Sequence, residues 1–553
     1  MRRVFMAAVC VLGVACGSND GSDSTSSDST SSEELRWRKW RSFGGSANTT
    51  AGAPNANGGA TNVAGAPNAN GGATNVAGAP SATGGATNVA GAPNANGGAA
   101  NVAGAPSATG GATNVAGAPN ANGGAINAAG GAVNGSGGAP SASADVIDFC
   151  RGRVTDKNSH PTTTLAKPAV GTWVSDPDFP GAQIMRITNS GTNQATTPMY
   201  STIPAWNSDG SLLMLYQWGA GHVLYDGRTF AKIGSLDCQT STGARPGPSD
   251  VEHVMWDPTN PDILRYPSRY APDSRGSMPI LYKCNVRTHQ ASVDHDFSTA
   301  PTSCTPGSEE LTMGADPQWF PGGLVGLQCG NNASDSAWRG KKFVYDVNTG
   351  KVFTPRSGGS FTGAEAPIAA PSGNRVYFGG AVYDNDLNPI RSLNLASIYE
   401  HANVGRSKLG NDFYYAVDFD GSDPGVMIAH DMSSGQTVPL ISESGGWGYP
   451  GSGIHITSII ADARAAGWSV ASIVGSTTTE KLAGEILLAN VDTKAVCRAG
   501  RHRSRAGNGG YGYAAEPHPV SHVLPDGTLE IVFGSDWGGQ SLADTYIMRL
   551  KPM

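Results

Sequence analysis

Beyond Asp145 the helical period of 3.6 nearly vanishes, and short extended runs recur between turns of Asp-Gly, Asn-Gly or Ser-Gly chemistry. That grammar limits the chain to an all-β architecture. Leu212-Leu213-Met214-Leu215-Tyr216 and Val223-Leu224-Tyr225-Asp226 read as one hairpin, and Arg375-Val376-Tyr377-Phe378 and Ala381-Val382-Tyr383-Asp384 as another of the same design. Runs beginning at Phe343, Met427 and Ile486 each give a strand that ends in Asp or Asn and a turn. A turn at Asn207-Ser208-Asp209-Gly210 or Leu524-Pro525-Asp526-Gly527 that leads into such a strand is the pattern of a four-stranded propeller blade.

One innermost strand per unit falls near residues 200, 253, 315, 367, 401, 455 and 518. Seven units predict a seven-bladed β-propeller, in which radial closure buries both faces of each blade and leaves only short edges. The alternative, a pair of β-sandwiches, predicts no single period. Trp206, Trp256, Trp319 and Trp468 recur at roughly corresponding strand positions and are expected in the core between blades.

The region before Asp145 cannot be part of that core. From Ser42 to Ala144 there is no Asp, Glu, Lys or Arg and almost no large side chain, so burial cannot offset the entropy of ordering. Six 13-residue copies of the type AGAPNANGGATNV start at Ala51, Ala64, Ala77, Ala90, Ala103 and Ala116, and each has a single Val or Ile to bury. Residues 17–144 are therefore expected to be a disordered, low-complexity Gly/Ala/Asn/Pro-rich linker, and 145–553 the propeller. Residues 1–16 read as a signal peptide: Arg2 and Arg3 precede Val4–Ala15, an apolar run too short to span a bilayer. Cys16, followed by a Gly/Ser/Asp/Thr tract, resembles the lipidation site of a bacterial lipoprotein. That implies an exported protein, lipid-anchored at the outer membrane or cell surface, with secretion or a periplasmic location as the alternative. The island from Leu35 to Arg41 interleaves Trp37 and Trp40 with basic residues, a pattern suited to an anionic membrane interface or to ordinary linker.

The span from Asp145 holds 39 acidic and 31 basic residues, which argues against nucleic acid as a partner. An acidic glycan or a surface protein remains, with the propeller itself a monomer that touches the membrane only through its N-terminal lipid. Cys150, Cys238, Cys284, Cys304, Cys329 and Cys497 are an even six in an exported domain and predict disulfides, with Cys284–Cys304 or Cys304–Cys329 as staples of neighbouring blades.

No His-Glu-x-x-His, Walker loop or Gly-x-Ser-x-Gly occurs. What stands out is a histidine at four blade entries, His253, His401, His455 and His518. Structural capping is one reading of that series, and chemistry the other. In Ala515-Glu516-Pro517-His518-Pro519, both Glu516 and His518 precede proline and are expected to be extended, which points their side chains to one side. With His455 they form a two-His, one-carboxylate set fit for a divalent ion. Arg501-His502-Arg503, just upstream, is expected to supply positive charge for an acidic substrate, or else to be a solvated loop.

His518-Pro519, Pro525-Asp526 and Phe533-Gly534-Ser535-Asp536 together resemble a run in the oligogalacturonate lyases, seven-bladed propellers related in shape to TolB-like propellers. The resemblance implies a divalent metal (Mn, Zn or Ca) at His455, Glu516 and His518, with His401 as the catalytic base. Glu516 stands where the family has a histidine, and Tyr513 where it has a glutamine ligand. The implied reaction is β-elimination in a uronic-acid glycan, with Arg501, His502, Arg503 and Tyr513 as substrate-binding residues. A propeller that binds a glycan or protein without catalysis, and another metal-dependent activity, are the competing functions.

Overall fold

The computed structural model describes residues 146–553 apart from 191–193, 250, 269–277, 314–321, 331–340, 356–365, 397–400, 420, 451–452, 476–478, 506–511 and 540–541. The signal segment, Cys16, the aromatic-basic island, the repeats and Trp319 lie outside the described residues.

The described residues form seven antiparallel sheets, six of four strands and one of five. Blades 1 to 7 open with the strands Thr196–Thr197, Met255–Trp256, Glu310–Thr312, Ile368–Ala369, Ala402–Arg406, Ile454–Ser458 and Val520–Val523. Each start lies within a few residues of the position read from the sequence. Helix among these residues is limited to two 3-10 turns, Ala463–Ala465 and Gly512–Ala515. The fold is an all-β, seven-bladed propeller.

Local chemistry explains the repeated unit. The residue that ends a blade's third strand caps the following turn with its side chain: Asp226 accepts from the Arg228 and Thr229 amides, Asp431 from Ser433 and Ser434, and Asn490 from Asp492 and Thr493. Gly210 closes the Asn207 turn with φ +69°, and a Cβ there would meet the His522 ring at 2.5 Å. The turn thus sits directly on blade 7, which only glycine permits.

Strands such as Gly425–Asp431 and Glu485–Asn490 are buried at every position, without the alternation of a one-sided sheet. The reason is that each blade face packs on a neighbour. Hydrophobic clusters fill every blade-to-blade interface, from Leu213 and Trp206 against Val532 and Ile547 (blades 1 and 7) round to Trp468 and Leu488 against Phe533 and Met548 (blades 6 and 7). Trp206, Trp256 and Trp468 are 5%, 2% and 3% exposed and lie in these clusters. Truncating one such tryptophan to alanine costs about 3–5 kcal/mol.

The ring closes at blade 7, where Ala182–Arg186, from the N-terminal side of the domain, pairs with Asp544–Leu550, and Trp173–Ser175 adds a fifth strand. The segment before it straps blades 6 and 7. Cys150 is bonded to Cys497, Trp468 Nε1 donates to the Ile147 carbonyl (2.9 Å) and Trp537 Nε1 to that of Leu165 (2.9 Å). The other disulfides are Cys238–Cys284 and Cys304–Cys329. The expected Cys304–Cys329 staple is present, and it ties the connection after blade 2's last strand, Gln290–Asp296, to Leu324–Gly330 of blade 3. Cys284 takes Cys238 rather than Cys304, because the backbone after Cys238 runs beside blade 2's outer strand, where Gln239 bridges Gln290.

The Cys150–Cys497 bond spans 347 residues and Cys304–Cys329 spans 25. On the chain-entropy account, C150A should lower unfolding free energy by about 2 kcal/mol more than C304A. Denaturant unfolding of the two variants measures the difference, and equal losses would contradict the closure role of the strap.

Candidate functional site

Three blades deliver one histidine each to the same mouth of the ring. His401 immediately precedes the first strand of blade 5, His455 is the second residue of that of blade 6, and His518 lies two residues before that of blade 7. The His401 and His455 rings stack at 5.0 Å, and His518 meets His455 edge-on at 4.3 Å. Glu516 Oε2 is 3.6 Å from His455 Nε2 and 3.5 Å from His518 Nε2. The ligand atoms of His455, Glu516 and His518 all lie within 4.8 Å of one another. Two donors each about 2.1 Å from one ion at a tetrahedral angle stand about 3.4 Å apart, so the spacing suits a shared cation.

Burial sharpens that fit. His455 and His518 side chains are 1% and 4% exposed, while that of Glu516 is 14% exposed. His455 Nδ1 and His518 Nε2 are buried and make no hydrogen bond. A buried ring nitrogen with no partner is costly, and for His518, whose Nε2 is also the atom nearest Glu516, a metal ion is one group that satisfies it. His518 also holds φ +40°, a left-handed backbone that costs a non-glycine residue on the order of 1 kcal/mol.

That φ corrects one expectation. Glu516 and His518 do point into one site, but His518 is not extended. Glu516 follows the 3-10 turn Gly512–Ala515, and its amide donates to the Tyr513 carbonyl (2.9 Å). The next residue's carbonyl, Pro517 O, accepts from Gly534 N (2.8 Å), where an added Cβ would stand 3.1 Å from Glu516 O. Packing on blade 7 therefore overrides the local preference of a residue before proline.

His401 Nδ1 lies 2.8 Å from the Ile454 carbonyl and must donate to it, which leaves the lone pair on Nε2. Burial lowers the pKa of His401 and of His455, and pushes that of His518 down to about 3. All three rings are neutral at neutral pH, the form required of a metal ligand or a base.

The structure places Arg501-His502-Arg503 elsewhere. Arg501 pairs with Asp178 (2.8 Å) and Glu485 (3.6 Å), and Arg503 with Asp176 (3.1 Å) and Asp178 (3.4 Å). His502 Nε2 donates to the Ile473 carbonyl (2.9 Å). Arg501 and His502 are 1% and 0% exposed. The two arginines bind the N-terminal strap rather than offering charge to a substrate, a long-range pairing that local sequence does not reveal, and His502 is bonded within blade 6. His253 is buried beside Ser249 and is not in the three-residue cluster. Asp526 and Asp536, from the run that carries the resemblance, accept backbone amides of Thr528 and of Arg505 and Gly539.

Two site residues escaped the sequence reading. Tyr200, from blade 1, stands at 90° to His401 and His455, with ring centroids 6.3 and 5.3 Å away. Glu252, from blade 2, accepts a hydrogen bond from Tyr513, whose ring lies 4.6 Å from that of His518. The available signal was position: both occupy the blade entry that the histidines mark, and Glu252 is the immediate neighbour of His253.

No protein-family model and no curated protein matches the chain. Among solved structures it is similar to an oligogalacturonate lyase from Vibrio parahaemolyticus, with 13% identity over 69% of this chain and 98% of that one and a TM-score of 0.45. It is also similar to an oligogalacturonate lyase in complex with manganese, with 15% identity over 69% of this chain and 97% of that one and a TM-score of 0.44.

Titration of the purified chain with Mn²⁺ or Zn²⁺ should show one site. H455A and H518A should each abolish it, because removing one of three protein ligands leaves too few for a borderline ion. Unchanged uptake in both variants would place the ion elsewhere.

Proposed function

We propose that the chain is a metal-dependent polysaccharide lyase that cleaves uronic-acid glycans by β-elimination. The observation that supports it most is the placement of His401 beside His455, Glu516 and His518, with its tautomer fixed by the Ile454 carbonyl. His455, Glu516 and His518 would hold a divalent ion, which would neutralise the uronate carboxylate and make the adjacent C–H acidic. His401 Nε2 takes that proton. The electron pair left behind forms the new C4–C5 double bond as the C4–O4 bond breaks, and O4 leaves with the preceding sugar, taking a proton from solvent. Tyr200, set edge-on to both rings, holds His401 and His455 in their stack, so the base cannot swing away from the metal ligands.

One observation favours a second reading, in which the propeller binds a glycan or protein without catalysis: the basic run 501–503 is engaged by the strap, so an acidic sugar must find its counter-charge elsewhere. Incubation with polygalacturonate, oligogalacturonates or ulvan in the presence of Mn²⁺ separates the two. The lyase reading expects rising ultraviolet absorbance from unsaturated uronates, lost in H401A with metal binding retained. Metal binding without that rise would reject it.

We further propose that the chain is exported and anchored through a lipid on Cys16, its repeat linker carrying the propeller away from the membrane as a monomer. C16S should move the protein from the membrane fraction to the soluble fraction. An unchanged membrane fraction would reject the anchor.

A further inference from the structure

Glu252 comes from a blade that supplies no candidate metal ligand. It is 5% exposed, in the run Val251–Asp257 that is buried throughout, and its carboxylate accepts the Tyr513 hydroxyl from the opposite side of the ring closure. Tyr513 in turn has two holds on the candidate ligands. Its carbonyl accepts the Glu516 amide (2.9 Å), and its ring packs on that of His518 at 4.6 Å. The segment it holds needs holding, since His518 keeps φ +40° and a buried Nε2 with no hydrogen bond. A residue in a sparsely populated backbone region persists only where its surroundings over-determine it.

We propose that Glu252 is a positioning residue of the site, which fixes Glu516 and His518 in ligand geometry through Tyr513. The inference rests on the metal reading given above and assigns a role to a residue outside the ligand set. One charge-assisted hydrogen bond from blade 2 sets the depth of the 3-10 turn Gly512–Ala515, and that turn delivers both ligands. The bond also ties blade 2 to the segment entering blade 7, with blade 1 between them. The acceptor matters here rather than the charge: a glutamine amide oxygen accepts the same hydroxyl, an alanine does not, and phenylalanine at 513 keeps the ring contact while deleting the bond.

The test uses the full purified chain and its E252A, E252Q and Y513F variants. Calorimetric titration with Mn²⁺ should show affinity weakened about 10- to 100-fold in E252A and Y513F, the usual effect of removing a partner that orients a ligand. E252Q should stay close to the parent chain. The double variant E252A/Y513F should be no weaker than Y513F alone, because both deletions remove one bond. As a readout independent of the ion, the His518 imidazole resonances should shift in E252A and Y513F and not in E252Q. Parent-like affinity and unshifted resonances in Y513F would overturn the proposal. If the parent chain takes up no Mn²⁺, the metal reading falls, and the resonances alone decide whether Glu252 positions His518.

Discussion

The pairing of Ala182–Arg186 with Asp544–Leu550 is the constraint on which the rest depends. Until that strand is in place, blade 7 lacks its outer neighbours, and the face of blade 1 formed by Leu213, Leu215 and Val223 has no Val532 or Ile547 to cover it. The site depends on closure more than the core does. Its members come from blades 5, 6 and 7 at one end of the chain and blades 1 and 2 at the other, so they meet only when the ring closes. The order of events follows from sequence separation: each blade is built of local hairpins, while ring closure joins residues more than three hundred apart.

The strap reinforces that closure with charge. Arg498 is 1% exposed, and its guanidinium reaches Glu485 Oε2 at 2.8 Å and the Asn158 carbonyl at 2.6 Å. Arg501 and Arg503 add Asp176 and Asp178 from the same N-terminal side. Buried pairs of this kind add little net stability over apolar packing, but removing one partner is strongly destabilising. Their effect is to specify where the strap lies. A strap fixed by three arginines and a disulfide leaves the N-terminal strand one register in which to enter blade 7.

The fold was legible in the sequence because its unit is local. The turn grammar depends on Asp, Asn and Gly at fixed offsets, and the structure reproduces it at Asp226, Asp431 and Asn490. The histidine positions were legible for the same reason, as each marks a blade entry. What the sequence hid was long-range. Arg501-His502-Arg503 has the composition of a solvated basic patch, and nothing near it in sequence signals Asp176 and Asp178, more than three hundred residues upstream. Glu252 was hidden beside His253, because choosing the right neighbour needs to know which of two adjacent side chains faces the channel.

The same distinction explains the backbone at His518. Local rules favour an extended residue before Pro519, and a chain free to follow them would do so. Gly534 instead admits the Glu516–Pro517 backbone against blade 7, and the Tyr513 carbonyl holds the Glu516 amide, so both ends of the segment are fixed before His518 chooses a conformation. The strained φ is the remainder of those two constraints. It turns the imidazole towards Glu516 and His455, whereas the His401 imidazole donates to the Ile454 carbonyl. A histidine that only capped a blade would have kept such a carbonyl. His518 gives it up, leaves its Nε2 buried without a hydrogen bond, and adopts a costly backbone. A buried nitrogen that a cation between it, Glu516 and His455 would satisfy, on a residue held in a costly backbone, favours a ligand over a cap.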